Sequence, residues 1–405
     1  MQSLSPYPAF IRARFLIKKI SGKNKKMSPA YSRASSSIDS VTAGEQQSGS
    51  GALTRGGFLS YIHSFRGVAI LAVVATHVTD LLTWNKDQPV TALFSYSIFQ
   101  NGTVLFLFIA GLLFQYLSGR FRYSKYITGK LRNVILPYII ISIPIIVYQY
   151  LRHAGIFAPD YARRFENPIL HVAWSYLSAA QLPIPFWFIP VIFILQVLAP
   201  VLLAIDRRPR LYWIILPLMV SAMFCHRPAD VTHIWHAFAY FAPAYIAGMW
   251  CSHYRESVIA RIAQWRIPLW GIAVALVLIE VFALKRGGSI FSHAPFSMEA
   301  GILDLNLPLK ILVSFLLVEL LYRYDHVCRN KFSYLADTSF GIFFLHKYII
   351  GFFDHAILPL AGISHINGSI WAFLVLVPLI TGLSVALVAL FRLVLGKRSR
   401  IVIGC

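Results

Sequence analysis

Apolar runs recur along this chain at lengths that approach or exceed the roughly 20 residues needed to cross a bilayer. They place ten spans, at 58–83, 91–118, 131–151, 186–204, 211–226, 231–252, 266–285, 304–323, 337–356 and 369–392. Inside lipid the backbone has no water to bond. A span must therefore be a helix, or a strand in a closed barrel. A barrel would read as short alternating segments, and these runs do not alternate. Composition agrees: of 405 residues, 57% are apolar and only 13% charged, against about 25% charged in a soluble protein. The expected fold is all-α, a polytopic integral membrane protein with one helical domain over 58–392.

A net charge of +21 invites a nucleic-acid reading. The distribution of the charge argues against it. With the N-terminus in the cytoplasm, and with the basic residues at span ends counted with the adjoining segment, the inner segments carry 27 of the 37 Lys and Arg and the outer loops carry 7. That bias fits the positive-inside rule and puts both termini inside. The basicity is a topology signal, with attraction to anionic membrane lipids as a secondary effect. The four cysteines, Cys225, Cys251, Cys328 and Cys405, form no CxxC pair. Only Cys225 falls near the outer face, so no structural disulfide is expected.

Residues 1–57 differ from the rest. A basic stretch, Ser3 to Lys26, precedes one rich in Ser, Gly, Ala and Gln, Ser28 to Gly57. Neither can bury a core, so a disordered cytoplasmic tail is expected. Its composition loosely imitates a transit peptide, and Met27 is an alternative start. A second basic tail is expected over 393–405. Between the second and third spans lies a basic inner loop that includes Arg120, Arg122, Lys125, Lys130 and Arg132. The longest outer loop, 152–185, ends in two prolines, Pro183 and Pro185, that stiffen the approach to Trp187. Trp187 suits the membrane interface.

Ionisable residues inside spans are costly and mark functional sites. The first span holds Arg66 and His77, eleven residues apart. At 100° per residue that spacing is about 20° past three whole turns, so both project from one helix face. They are separated by roughly 16 Å along the axis. Each alone has a plainer reading: Arg66 can snorkel to the inner interface, and His77 can bond a backbone carbonyl. Asp80 follows His77 by three residues, close enough to orient the imidazole. It equally suits a solvated position at the outer mouth. His226, His233 and His236 gather near one outer mouth, but no third ligand stands at zinc-like spacing, and no metal is expected. Glu280, Lys310, Glu319 and Lys347 also fall within or near spans. Lys310 and Glu319 face opposite sides of one helix, so any Lys–Glu pair must join two helices.

The segment Phe65-Arg66-Gly67-Val68-Ala69-Ile70, running on to Thr76-His77, resembles the opening of the membrane-bound acyltransferase-3 family. That family carries Arg, ten residues and His in its first span. Similar segments follow in order at Val104–Gly111, Arg132–Tyr138, Phe186–Pro190 and Ser339–His346. The resemblance covers about 58–392. It implies O-acyltransfer, most commonly of acetyl, from acyl-CoA to a hydroxyl of a cell-surface or lipid-linked saccharide. It implies His77 as general base and Arg66 in donor handling, with Lys130 and Arg132 helping to hold the donor. Asp80, Trp187 and His346 would line the cavity. No bound cofactor is implied, because acetyl-CoA would be a co-substrate. The implied location is a bacterial cytoplasmic membrane, with room for a polysaccharide biosynthesis or export partner. Two departures weaken the donor site: Ala110 stands where the family usually has Ser, and Val134 stands where a second Arg often falls. A transporter or flippase of a lipid-linked saccharide is the main alternative, and a non-catalytic scaffold is a third.

Overall fold

The computed structural model describes residues 55–84, 89–153, 185–229, 234–292, 296 and 303–405. The tail and most of the long outer loop lie outside them, as do His233, His293 and Glu299. The described chain is helical apart from short turns and two-residue pairings. Its first half runs α1 (Arg55–Val78), α2 (Pro89–Phe99), α3 (Thr103–Tyr116), α4 (Tyr123–Lys130), α5 (Leu136–His153), α6 (Phe188–Val197) and α7 (Ala199–Asp206). The second half runs α8 (Ile215–Cys225), α9 (Ile234–His253), α10 (Arg255–Leu278), α11 (Asn306–Arg323), α12 (Asp325–Phe352), α13 (Ile370–Leu395) and α14 (Ser399–Val402).

Among the described residues, six helical runs are long and apolar enough to cross a membrane: Ser60–Val78, Val90–Tyr116, Tyr123–Val147, Arg255–Ala283, Asp325–Leu360 and Ile370–Val402. The pair α6 and α7, bent by 61°, makes a seventh if it counts as one span. Length and hydropathy thus return fewer spans than the ten expected. The other expected segments are helices too: Pro209–Cys225 is shorter, and α9 and α11 are largely enclosed by neighbours. A helix wrapped by others needs no lipid-like surface, so α11 can carry buried Lys310 and Glu319.

Several spans are interrupted where the sequence permits it. The second is broken between α2 and α3, where Asn101 takes a positive φ of 63°. Asparagine tolerates that region better than most residues. Five-residue π turns interrupt two others, at Leu131–Ile135 and Phe353–Ile357, and a third ends the run Arg255–Ala283 at Ile279–Ala283. Such turns free backbone geometry and recur at functional sites. By contrast, α13 is fully punctuated. The Ser369 hydroxyl accepts from the Ala372 amide at 3.1 Å, and Gly396 ends the helix at φ 51°.

Two packings position the interior. In the first, α1 lies along α12, and the two run parallel. Residues paired across them rise together: Ser60 with Arg329, His63 with Asp337, Arg66 with Ser339, and His77 beside His346. In the second, α3 crosses α9 at glycines. A Cβ added at Gly111 would strike the Tyr245 carbonyl, and one at Gly248 would strike the Phe108 carbonyl. Small residues let helix backbones touch in this way. The loops are tied by parallel pairings: β1 (Leu82–Thr83) with β4 (Ile366–Asn367), and β2 (Arg227–Pro228) with β3 (Phe291–Ser292). After α13 the chain folds back against the bundle. Ile403 is fully buried and the Cys405 sulfur abuts Gly341. Burial there pushes the Cys405 thiol up, against the opposing pull of Arg392.

Candidate active site

Helix α1 presents Arg66 and His77 to the same neighbour. At one level the Arg66 guanidinium donates to Ser339 Oγ at 3.1 Å, and Ser339 Oγ donates to the Ala336 carbonyl at 2.8 Å. At the next level the rings of His77 and His346 lie 5.3 Å apart, inclined by 37°. Ser339 and His346 are seven residues apart on α12, which is within about 20° of two whole turns. One face of each helix therefore supplies both levels.

His346 is fully buried. Its Nδ1 lies 2.9 Å from the Ile342 carbonyl, an acceptor only, so Nδ1 carries a proton and donates. Nε2 is also buried and has no hydrogen-bond partner. The neutral ring thus offers a bare acceptor nitrogen on the face shared with His77. A buried acceptor left unmade costs about 1–3 kcal/mol, which makes it a marker for a bound polar group. His77 and Arg66 are only half-buried, as expected for groups at the edge of an accessible interior. Packed aromatics close the far side of His346: Phe343 lies 6.3 Å from it, and Phe344 meets Phe186 edge-on at 5.5 Å.

Lys130 ends α4 within electrostatic reach of Arg66, and its ammonium stands 5.2 Å from the Tyr126 ring centre. These two cations are brought together. Arg132, in the following π turn, is exposed. Asp80 falls in the turn Thr79–Leu81, and its side chain lies outside the described ones. Trp187 stacks on Phe241 at 5.0 Å, and the Arg227 guanidinium sits 5.1 Å from its ring centre. Trp187 is thus held in an aromatic and cationic cluster. His236 Nε2 lies 3.2 Å and 3.1 Å from the carbonyls of Cys225 and His226. Among the described residues no three His, Cys, Asp or Glu side chains gather as a metal site.

A second polar layer surrounds the break between α2 and α3. The Tyr240 hydroxyl donates to Asp304 at 2.8 Å and lies 3.2 Å from the Asn101 amide nitrogen. Asp304 in turn accepts the Asn306 amide at 2.9 Å. Lys310 donates to the Ser97 carbonyl at 3.0 Å and also to that of Ile98, capping the broken end of α2. Glu280, buried in its π turn, is within electrostatic range of that lysine. The two act on each other from different helices at electrostatic range, without direct contact: both Glu280 carboxylate oxygens are buried and make no hydrogen bond. The sequence did carry one signal for the break: the Asn101-Gly102 dipeptide inside an apolar run.

An all-α bundle with apolar spanning helices and inward-facing cations and imidazoles defines a multi-pass integral membrane protein with an interior polar site. Residues 59–389 match a family model described as an acyltransferase domain, and the chain belongs to this acyltransferase-3 family. It is accordingly an acyltransferase, acting on acyl groups other than aminoacyl groups. No curated protein and no solved structure matches the chain significantly.

Proposed function

We propose that the protein moves an acyl group, acetyl in the simplest case, from acyl-CoA to a hydroxyl of a cell-surface or lipid-linked saccharide. The observation that carries this reading is the pair of levels on α1 and α12, with Arg66 at one and His77 beside His346 at the other. They are separated by roughly 16 Å along α1, a distance suited to a long thioester arm rather than to direct contact. Arg66 and Lys130 meet the anionic end of the donor, where the fork of a guanidinium matches phosphate oxygens. Arg132 assists from the basic loop. The positive-inside bias puts this end in the cytoplasm, where acyl-CoA is made. Both termini are then inside, ten spans complete the bundle, and the membrane is a bacterial cytoplasmic one.

His77 takes the proton of the acceptor hydroxyl as its oxygen attacks the thioester carbonyl. The C–S bond breaks, and the thiolate leaves with a proton returned by the imidazolium. His346 Nε2 faces that exchange as an acceptor and steadies the protonated His77. An acyl group held briefly on the protein fits the same layout. A polysaccharide biosynthesis or export partner would carry the product onward.

The test is His77→Ala at matched expression, read by mass spectrometry of surface glycans and by glycan export. The expected result is loss of the acyl mass increment with export intact. Export failure with normal acylation would sink the reading and favour a transporter.

A further inference from the structure

A cavity of about 600 Å³ opens between α8, α9, α10 and α11, and neither Arg66 nor His77 lines it. Its walls are apolar and include Leu216, Met219, Ile311 and Phe315. Trp213 and Trp250 also line it, and Trp213 is 72% exposed. Tyr254, Ser257 and Arg261 belong to its other end. The order along the chain gives the pocket a direction. The polar residues sit at the turn from α9 to α10 and the first turns of α10, whereas Met219, Ala247 and Ile311 lie deeper in their helices. The pocket is therefore amphipathic from mouth to floor.

Its mouth is cationic. Pro209 lines it, and Arg207, Arg208 and Arg210 flank that proline, all exposed like Arg261. The acids of the same turns are already engaged. Asp206 accepts from the Tyr212 hydroxyl at 2.7 Å and pairs with His253 at 2.7 Å, and Glu256 lies 3.8 Å from Arg255. An anion at the mouth would meet arginines rather than competing carboxylates. Tryptophan and tyrosine at such a rim mark the level of lipid headgroups. Basic pockets between spanning helices recognise anionic lipid heads.

We propose that this pocket binds an anionic diacyl phospholipid, with its phosphate against Arg261 and the Arg207–Arg210 turn and one acyl chain along the Met219–Phe315 walls. The site is independent of acyl transfer at His77. It would fix the orientation of α8 and α10, whose outer faces are otherwise exposed.

Native mass spectrometry of the purified full chain tests this. The protein is offered equal amounts of phosphatidylglycerol and phosphatidylcholine with identical tails. Retention of the anionic lipid is expected to exceed that of the zwitterionic one about fivefold for each arginine engaged. Arg261→Gln together with Arg208→Gln should cut that preference by about fivefold for each arginine removed, and both are changes at exposed positions. Met219→Trp should fill the pocket and reduce retention of both lipids. Equal retention by the wild type, or a preference untouched by the arginine variants, would overturn the proposal. So would retention of a lipid-linked saccharide in place of both phospholipids.

Discussion

His346 meets His77 ring to ring at 5.3 Å, and its buried Nε2 has no hydrogen-bond partner. Seven residues earlier on the same helix, Ser339 holds Arg66. This relationship makes α12 a partner of α1 at both ends of the proposed reaction path.

If His346 Nε2 steadies the protonated His77, removing that nitrogen should slow chemistry more than binding. His346→Phe keeps the ring and the packing but loses the acceptor. It should lower kcat by about 10²-fold or more while leaving the donor KM within a few-fold. Turnover of acetyl-CoA by purified protein, followed as released thiol, checks the split. An unchanged kcat would remove His346 from the mechanism.

Ser339→Ala removes one acceptor of Arg66 without touching the guanidinium. The donor KM should rise about tenfold, since hydrogen bonds to charged groups are worth about 1.5–3 kcal/mol. Arg66→Lys should cost more, because an ammonium cannot reproduce the planar fork. Titration with acetyl-CoA at fixed acceptor separates these effects from losses in kcat.

Lys310→Met should strip the broken end of α2 of its donor and remove a cation within electrostatic range of Glu280. Leaving a buried carbonyl without its donor costs about 1–3 kcal/mol. Thermal unfolding in detergent should show a sharp loss of stability, and adding Glu280→Gln should recover part of it. No recovery would mean that the carbonyls, rather than the carboxylate, are what Lys310 serves.

Gly248→Ala places a methyl group on the Phe108 carbonyl, and Gly111→Ala places one on that of Tyr245. Either should push α3 and α9 apart and destabilise by at least about 1–3 kcal/mol, because backbone cannot yield as a side chain can. Folded yield by size-exclusion chromatography reads this directly. The double variant should be far less than additive, since one displacement relieves both clashes.

The helices were legible because a bilayer demands long apolar runs, and the runs can be counted along the chain. The common face of Arg66 and His77 was legible for a related reason: helical phase depends only on spacing. Ser339 and His346 could be named from their resemblance to a family segment, but not joined to Arg66 and His77. Asn101, Tyr240 and Asp304 went unremarked, because a tyrosine in an apolar run looks like any core aromatic until its hydroxyl has a partner. Lys310 and Glu280 stood out singly as charges near spans, and neither announced the other. Length and hydropathy do not by themselves mark α9 and α11 as spans, because much of each is sheltered by neighbouring helices.

Sequence alone determined that the chain is a bundle of membrane helices, and which face of α1 carries a cation and an imidazole. Both follow from local rules, the bilayer thickness and the helical repeat. Only the tertiary structure decided that α12 runs parallel to α1, so that Arg66 meets Ser339 and His77 meets His346 across 273 positions in the first case. Pairings of that reach are fixed by how helices pack, through glycine crossings, broken spans and buried charges in balance, and no local spacing encodes them.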